Sequence, residues 1–183
     1  MDGQACMQKA YEAIFQEDFE SAIEWFQRAV ERDPDNAAYH YKGSITIVRS
    51  GRLQLALAFA RRAVELDPHE QAYRYHLRVL EAKQLASEAE KLLAADPPRP
   101  VEALNKLREA EERDPLSAET KLLQAIAYRQ IGDKARASDC VREALSLNPD
   151  WSEAFRLLRE IEADGGLDVK PDKDPGESDD GKG

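Results

Sequence analysis

The chain has 183 residues, of which 34% are charged and 42% hydrophobic, and its formal net charge at pH 7 is −10. These proportions fit a folded domain or a short repeat array with a soluble surface. The negative charge argues against nucleic acid as a partner, because such binding depends on Lys and Arg that neutralise phosphates. No apolar run is long enough to cross a membrane, so no membrane partner is expected.

The N-terminus and the cysteines exclude two further classes of protein. Residues 1–11 contain no basic cluster followed by an apolar run, so they do not resemble a secretory signal, and a cytoplasmic location is expected. Cys6 and Cys140 are the only cysteines and are far apart, which argues against a disulfide framework and against a metal or redox motif. We expect two buried free thiols and no cofactor.

Nine helices are predicted in chain order, and their apolar residues recur with helical spacing. They lie near 3–16, 19–32, 36–49, 53–66, 69–95, 100–113, 117–130, 134–147 and 150–163. Gly51 and Gly132 fall between paired helices, where glycine can adopt the positive φ of a helix C-terminus. Glu17 and Asp18 occupy the corresponding place in the first pair and predict a weaker turn.

Four prolines define an internal repeat. Pro34, Pro68, Pro115 and Pro149 each follow Asp or Asn and are spaced 34, 47 and 34 residues apart. Proline disfavours helical geometry in the residue before it, so each pair should end one helix. Because Asp and Asn can cap a helix and proline tolerates its first position, we also expect the same pair to begin the next helix.

Alanines occupy fixed positions relative to these prolines. One lies twelve residues before each proline and another five residues before it; they are Ala22, Ala29, Ala56, Ala63, Ala103, Ala110, Ala137 and Ala144. Two alanines seven residues apart share one face of a helix, and their small size allows a neighbouring helix to approach closely.

These alanines and prolines, with Gly51, Gly132 and the small residues Ala10, Ser44 and Ala125 in the first helices, resemble the tetratricopeptide repeat family over roughly residues 3–163. The resemblance implies an all-α, right-handed superhelical solenoid of antiparallel helix hairpins. About four repeats are expected, followed by a C-terminal capping helix. Their boundaries are near 3–36, 37–70, 71–117, 118–149 and, for the cap, 150–163, all within a domain of residues 1–163.

The third repeat contains an insertion of 13 residues, as the 47-residue spacing shows. Neither Gly nor Pro interrupts residues 69–95, which favours one continuous helix, although a kink near 83–87 that divides it in two is an alternative. In the continuous helix, the first part, 71–83, should pack on the second repeat, and the last part, 84–95, should pair with 101–113.

The C-terminal region is expected to change from helix to disordered tail. A stripe at helical spacing should bury one face of the capping helix; it consists of Trp151, Ala154, Phe155, Leu158 and Ile161. Residues 164–183 contain seven acids, three lysines and almost no apolar side chain, so they cannot bury enough surface to offset chain entropy.

No arrangement of residues predicts catalysis, so the chain is expected not to be an enzyme. The three histidines form no metal-binding pair, and the sequence lacks a glycine-rich phosphate loop and a nucleophile elbow. Acidic pairs such as Glu111 with Glu112 are expected to be solvated surface.

In the family that the chain resembles, the first helix of each hairpin lines a concave groove that binds partners. The corresponding candidate groove residues here are Met7, Tyr11, Tyr41, Lys42, Ile45, Arg49, Tyr75, His76 and Lys83, together with Gln4, Gln8, Val79, Leu122, Ile126 and Arg129. Tyrosines suit peptide anchors, and the cations favour an acidic partner, so the expected function is a protein-binding adaptor or scaffold. Of the family positions that clamp a chaperone's C-terminal carboxylate, only Lys42 is basic, so such binding is not expected.

The alternative function is a self-associating structural or regulatory protein that uses the long helix as a homodimer interface. The long helix, 69–95, carries leucines that could pack against a second copy of the chain, and the groove would then have no role. They are Leu77, Leu80, Leu85, Leu92 and Leu93.

Overall fold

The computed structural model describes residues 1–165, with side chains as far as Ala163. These residues form nine α-helices: α1 (Gly3–Phe15), α2 (Phe19–Arg32), α3 (Ala37–Arg49), α4 (Leu53–Leu66), α5 (Gln71–Leu93), α6 (Pro100–Arg113), α7 (Ala118–Gln130), α8 (Lys134–Leu147) and α9 (Ser152–Gly165). Each begins and ends within two residues of its predicted position. Residues 166–183, most of the tail predicted to be disordered, lie outside the described part.

Consecutive helices pack as hairpins, and the hairpins pack in chain order. The pairs are α1 with α2, α3 with α4, α5 with α6, and α7 with α8, while α9 packs on α8. The second helix of each hairpin contacts the first helix of the next. Contacts thus run mainly between neighbours in the chain, as in a solenoid. Among residues 1–165, no helix has both the length and the apolar character that crossing a bilayer requires.

The alanines at fixed positions lie at the helix contacts. All eight are fully buried, as are the larger residues Phe26, Leu107 and Val141, each three positions before the second alanine of its repeat. The prediction that small side chains allow close helix approach is therefore confirmed.

The residue before each repeat proline ends a helix but does not begin the next one. Asp33 is the C-cap of α2, and its backbone N–H donates to the Ala29 carbonyl. The cap that precedes α3 is Asn36, three residues later. The prediction that one dipeptide serves both ends was wrong, because the chain makes a short turn before the next helix begins.

Helix α5 is continuous, and its two halves belong to different parts of the core. In the first half, Leu80 packs against Ile47 and Leu57 of the second repeat. In the second half, Ala86 and Ala89 belong to a cluster that also contains residues of α6 and α7. The predicted division of α5 is confirmed. Helix α5 has 23 residues, ten more than each of α1, α3 and α7, so it is about 15 Å longer than they are.

Three side chains differ from their predicted environment. Phe155 is 46% exposed, whereas Leu157 is buried, because the inward face of α9 is centred on Ala154, Leu157 and Ile161 at i, i+3 and i+7. Cys6 is buried as expected, but Cys140 is only half-buried. Glu111, expected to be solvated, is half-buried and accepts hydrogen bonds from Lys121 and Gln124.

Candidate functional site

An open pocket lies between α1 and α3. It has a volume of about 410 Å³ and is lined by Gln4, Met7, Gln8, Tyr11, Tyr39 and Lys42. Tyr11 is 46% exposed, and the Lys42 Nζ lies 5.7 Å from the centre of its ring. Met7 is only 5% exposed, and the small exposed part of its side chain forms the apolar floor of the pocket. The pocket combines an aromatic surface, a cation and two amides, which suits contact with a polypeptide.

A second aromatic cluster fixes the contact between α3 and α5. The rings of Tyr41 and Tyr73 are 4.7 Å apart, and the His76 ring meets Tyr41 edge-on at 5.5 Å. The His76 Nε2 is 2.9 Å from the Ser44 Oγ, which donates its proton to the Ala56 carbonyl at 2.8 Å. The Ser44 Oγ therefore accepts a hydrogen bond from the Nε2–H of His76. Burial lowers the pKa of His76, which favours the neutral ring.

The other candidate groove residues lie around these two groups. Ile45 is half-buried, and Tyr75 is 59% exposed. The Arg49 guanidinium lies 5.9 Å from the centre of the Phe19 ring, whereas the Lys83 Nζ lies 3.6 Å from Glu119 of α7. The structure therefore brings Met7, Tyr11 and Lys42 into one pocket and pairs Tyr41 with His76, but Lys83 contacts the C-terminal half.

We call the first part of this surface the N-terminal inner face. It consists of Gln4, Met7, Gln8 and Tyr11 of α1, Tyr41, Lys42, Ile45 and Arg49 of α3, and Tyr75, His76 and Val79 of α5. None of these residues is acidic, although the chain has 36 Asp and Glu among its 183 residues. Within the described residues, Lys42 and Arg49 form no ion pair with a carboxylate, and each lies beside an aromatic ring instead.

The corresponding surface of the C-terminal half is different because its two arginines are paired with a carboxylate. Leu122, Ile126, Arg129, Glu153, Arg156, Leu157 and Glu160 line a smaller pocket of about 210 Å³. Arg129 lies 2.8 Å from a Glu160 oxygen, and Arg156 lies 3.8 Å from the other oxygen of the same carboxylate. A partner would have to compete with these ion pairs, so the N-terminal inner face is the better candidate site.

Two family models match the chain, and both describe the tetratricopeptide repeat. One matches residues 7–71 and the other residues 118–150, together more than half of the chain. This protein belongs to the tetratricopeptide repeat family. The expected fold class, a right-handed superhelical solenoid of antiparallel hairpins, is thereby confirmed.

Solved structures of other tetratricopeptide repeat proteins support the fold. The chain is similar to the MamA protein, with 18% identity over 90% of this chain and 83% of MamA, and a TM-score of 0.52. MamA from Desulfovibrio magneticus RS-1 gives 14% identity over 90% and 85%, with a TM-score of 0.53. YrrB, a TPR protein with an unusual peptide-binding site, gives 20% identity over 86% and 74%, with a TM-score of 0.51. No curated protein matches the sequence.

Sequence reasoning missed three aromatic residues of this repeat protein. Tyr39 lines the first pocket, Tyr73 stacks on Tyr41, and Phe15 is 91% exposed at the end of α1. Helical spacing offered a signal for each of them: Tyr39 and Tyr73 lie three residues before Lys42 and His76, and Phe15 lies four residues after Tyr11.

The leucines of the homodimer alternative are used within the repeat array. Leu80 and Leu93 are buried, and Leu77 and Leu92 pack against the clusters on either side of α5. Leu85 is half-buried. These side chains therefore leave little apolar surface for a second copy of the chain.

Metal-binding chemistry has no support in the described structure. Within residues 1–165, no three His, Cys, Asp or Glu side chains converge as metal ligands would. Burial raises the pKa of the Cys140 thiol to about 11, which disfavours the reactive thiolate.

Proposed function

We propose that this protein is a non-enzymatic adaptor that holds a peptide or helix of a partner protein on its N-terminal inner face. Tetratricopeptide repeat proteins bind other proteins or peptides. The observation that carries the proposal is the open pocket of about 410 Å³ in which Tyr11 and Lys42 are exposed together. A peptide-binding site on the same fold, as in YrrB, supports it.

The side chains in this pocket suit the anchoring of a polypeptide. Tyr11 offers a large apolar surface with a polar tip, and such residues dominate the binding energy of many protein interfaces. Its ring is held by edge-on contact with the buried Phe26, with ring centres 6.2 Å apart. A ring that is already fixed loses less conformational entropy when a partner binds.

Affinity capture with quantitative mass spectrometry tests the proposal. The variant combines Tyr11→Ala, Lys42→Gln and Tyr75→Ala at three exposed positions, and its far-UV circular dichroism is compared with that of the wild type to confirm that it is folded. Because each anchor contributes about 1–2 kcal/mol, we expect at least a tenfold loss of the partners that the wild-type chain captures. The matched control is Val101→Ala with Leu116→Ala, two exposed apolar residues outside the N-terminal inner face. Equal recovery by both variants would disprove the adaptor site.

A further inference from the structure

We propose that the N-terminal inner face binds an acidic helical segment of a partner protein. Two carboxylates of this segment contact Lys42 and Arg49, and an apolar side chain between them packs on Ile45. This inference rests on the proposed adaptor function and defines the chemistry and conformation of its ligand.

The spacing of the two cations selects a helix. Lys42, Ile45 and Arg49 lie at i, i+3 and i+7, so they share one face of α3. The rise between Lys42 and Arg49 is about 10.5 Å. A partner helix along α3 places carboxylates at i and i+7 at the same spacing. An extended segment places side chains on one face at about 6.8 or 13.6 Å, and neither spacing matches.

Backbone hydrogen bonding also favours a helical ligand. A helix satisfies its own backbone groups, whereas an extended peptide commonly adds to the exposed edge of a sheet. The described residues of this chain contain no strand, so they offer no such edge. An extended peptide could pair its backbone groups only with side chains, such as the amides of Gln4 and Gln8, or with water.

The charge on the two cations remains available to a ligand. Lys42 lies beside the Tyr11 ring and Arg49 beside the Phe19 ring, and aromatic faces attract cations without neutralising them. None of the residues that form the N-terminal inner face is acidic, and the nearest carboxylates, Glu70 and Asp67, act on Tyr73 at its edge. The chain as a whole has a net charge of −10, so the two cations of this face direct an acidic ligand towards it.

Apolar surface is present between the cations and on the preceding first helix, α1. Ile45 lies between them, and Phe15, four residues after Tyr11 on α1, is 91% exposed. Apolar side chains near the middle of the acidic segment can bury these surfaces. The expected ligand is therefore an amphipathic helix with Glu or Asp at i and i+7 and Leu-like residues at i+3 and i+4.

Fluorescence anisotropy with synthetic helical peptides tests this inference on the full chain. The first labelled peptide carries Glu at i and i+7 with Leu at i+3 and i+4. The second has the same composition with the later Glu moved to i+5, and the third has Gln in place of both Glu residues. We expect the first to bind about tenfold more tightly than the others, with affinity that falls as salt rises. Equal binding of the first two peptides, or no measurable binding of the first, overturns the proposal.

Protein variants separate this inference from the proposed function. Lys42→Gln with Arg49→Gln should weaken the first peptide about tenfold. Arg61→Gln on α4, another exposed cation with no carboxylate partner in the described structure, should leave its affinity unchanged. If Tyr11→Ala reduces partner capture but the Lys42 and Arg49 substitutions affect neither capture nor peptide binding, the adaptor function stands and the acidic helix is excluded.

Discussion

Lys121 shows how one residue can replace an apolar contact with a polar one. It occupies the same repeat position as Cys6 and His40, 28 residues before the proline of its repeat. Its Nζ lies 2.6 Å from Glu111 and 2.5 Å from Glu143. Burial disfavours the charged lysine, but the hydrogen bonds to both carboxylates outweigh this effect and raise the pKa of Lys121.

Replacing Lys121 should therefore cost more stability than replacing a similar lysine at the surface. Lys121→Ala leaves Glu111 half-buried without its cation, and we expect the free energy of unfolding to fall by about 2 kcal/mol. Lys106 is the matched control, because its Nζ lies at the same 2.6 Å from Glu88 but its side chain is 37% exposed, against 14% for Lys121. Lys106→Ala should cost about 0.5 kcal/mol. Urea denaturation measures both, and equal losses would contradict the role assigned to burial.

At the scale of the helical elements, the turns inside the hairpins differ in strain. Glu17, Gly51 and Gly132 each lie two residues after the end of a first helix, with φ of 59°, 80° and 83°. Glycine adopts such positive φ readily, whereas a residue with a side chain is strained there. The first hairpin therefore has the less favourable turn, as the sequence predicted.

Glu17→Gly should stabilise the protein. Glu17 is exposed, so the substitution removes strain and little else, and we expect the free energy of unfolding to rise by about 0.5–1 kcal/mol. Glu17→Ala is the control, because alanine keeps the strain and should give no gain. Thermal or urea denaturation compares the two variants. An equal gain from alanine would mean that the side chain of Glu17, and not its backbone, limits stability.

For the whole molecule, α5 connects two blocks of repeats. The first block contains α1–α4 and the first half of α5, and the second contains the other half with α6–α9. The additional length of α5, about 15 Å, lies between the N-terminal inner face and the C-terminal pocket. Because a solenoid is stabilised by contacts between neighbours, the continuity of α5 determines how strongly the blocks are coupled.

A proline in the middle of α5 should uncouple the blocks. Gln84→Pro removes one helical hydrogen bond and introduces a clash with the carbonyl of Leu80, at a cost of about 3 kcal/mol. We expect urea denaturation to show two transitions, or one with a clearly smaller slope, since each block then unfolds separately. Gln84→Ala, which also removes the hydrogen bond to Glu88, is the control. A single transition with an unchanged slope in the proline variant would show that other contacts couple the blocks.

The amino-acid sequence alone determined the positions of the helices and the order of the hairpins. Helix formation depends on residues within a turn or two of each other, so prolines, glycines and alanines at regular spacing were sufficient to predict it. The same local pattern predicted that α5 is continuous, and the resemblance to the family placed Met7, Tyr11 and Lys42 among the groove residues.

Only the tertiary structure decided which side chains meet between helices. Tyr39 enters the pocket, Tyr73 stacks on Tyr41, and Lys121 finds carboxylates on α6 and α8, while Phe155 turns outward. These contacts depend on how each helix is rotated against its neighbours. That rotation follows from the packing of whole helix surfaces, and no spacing within a single helix specifies it.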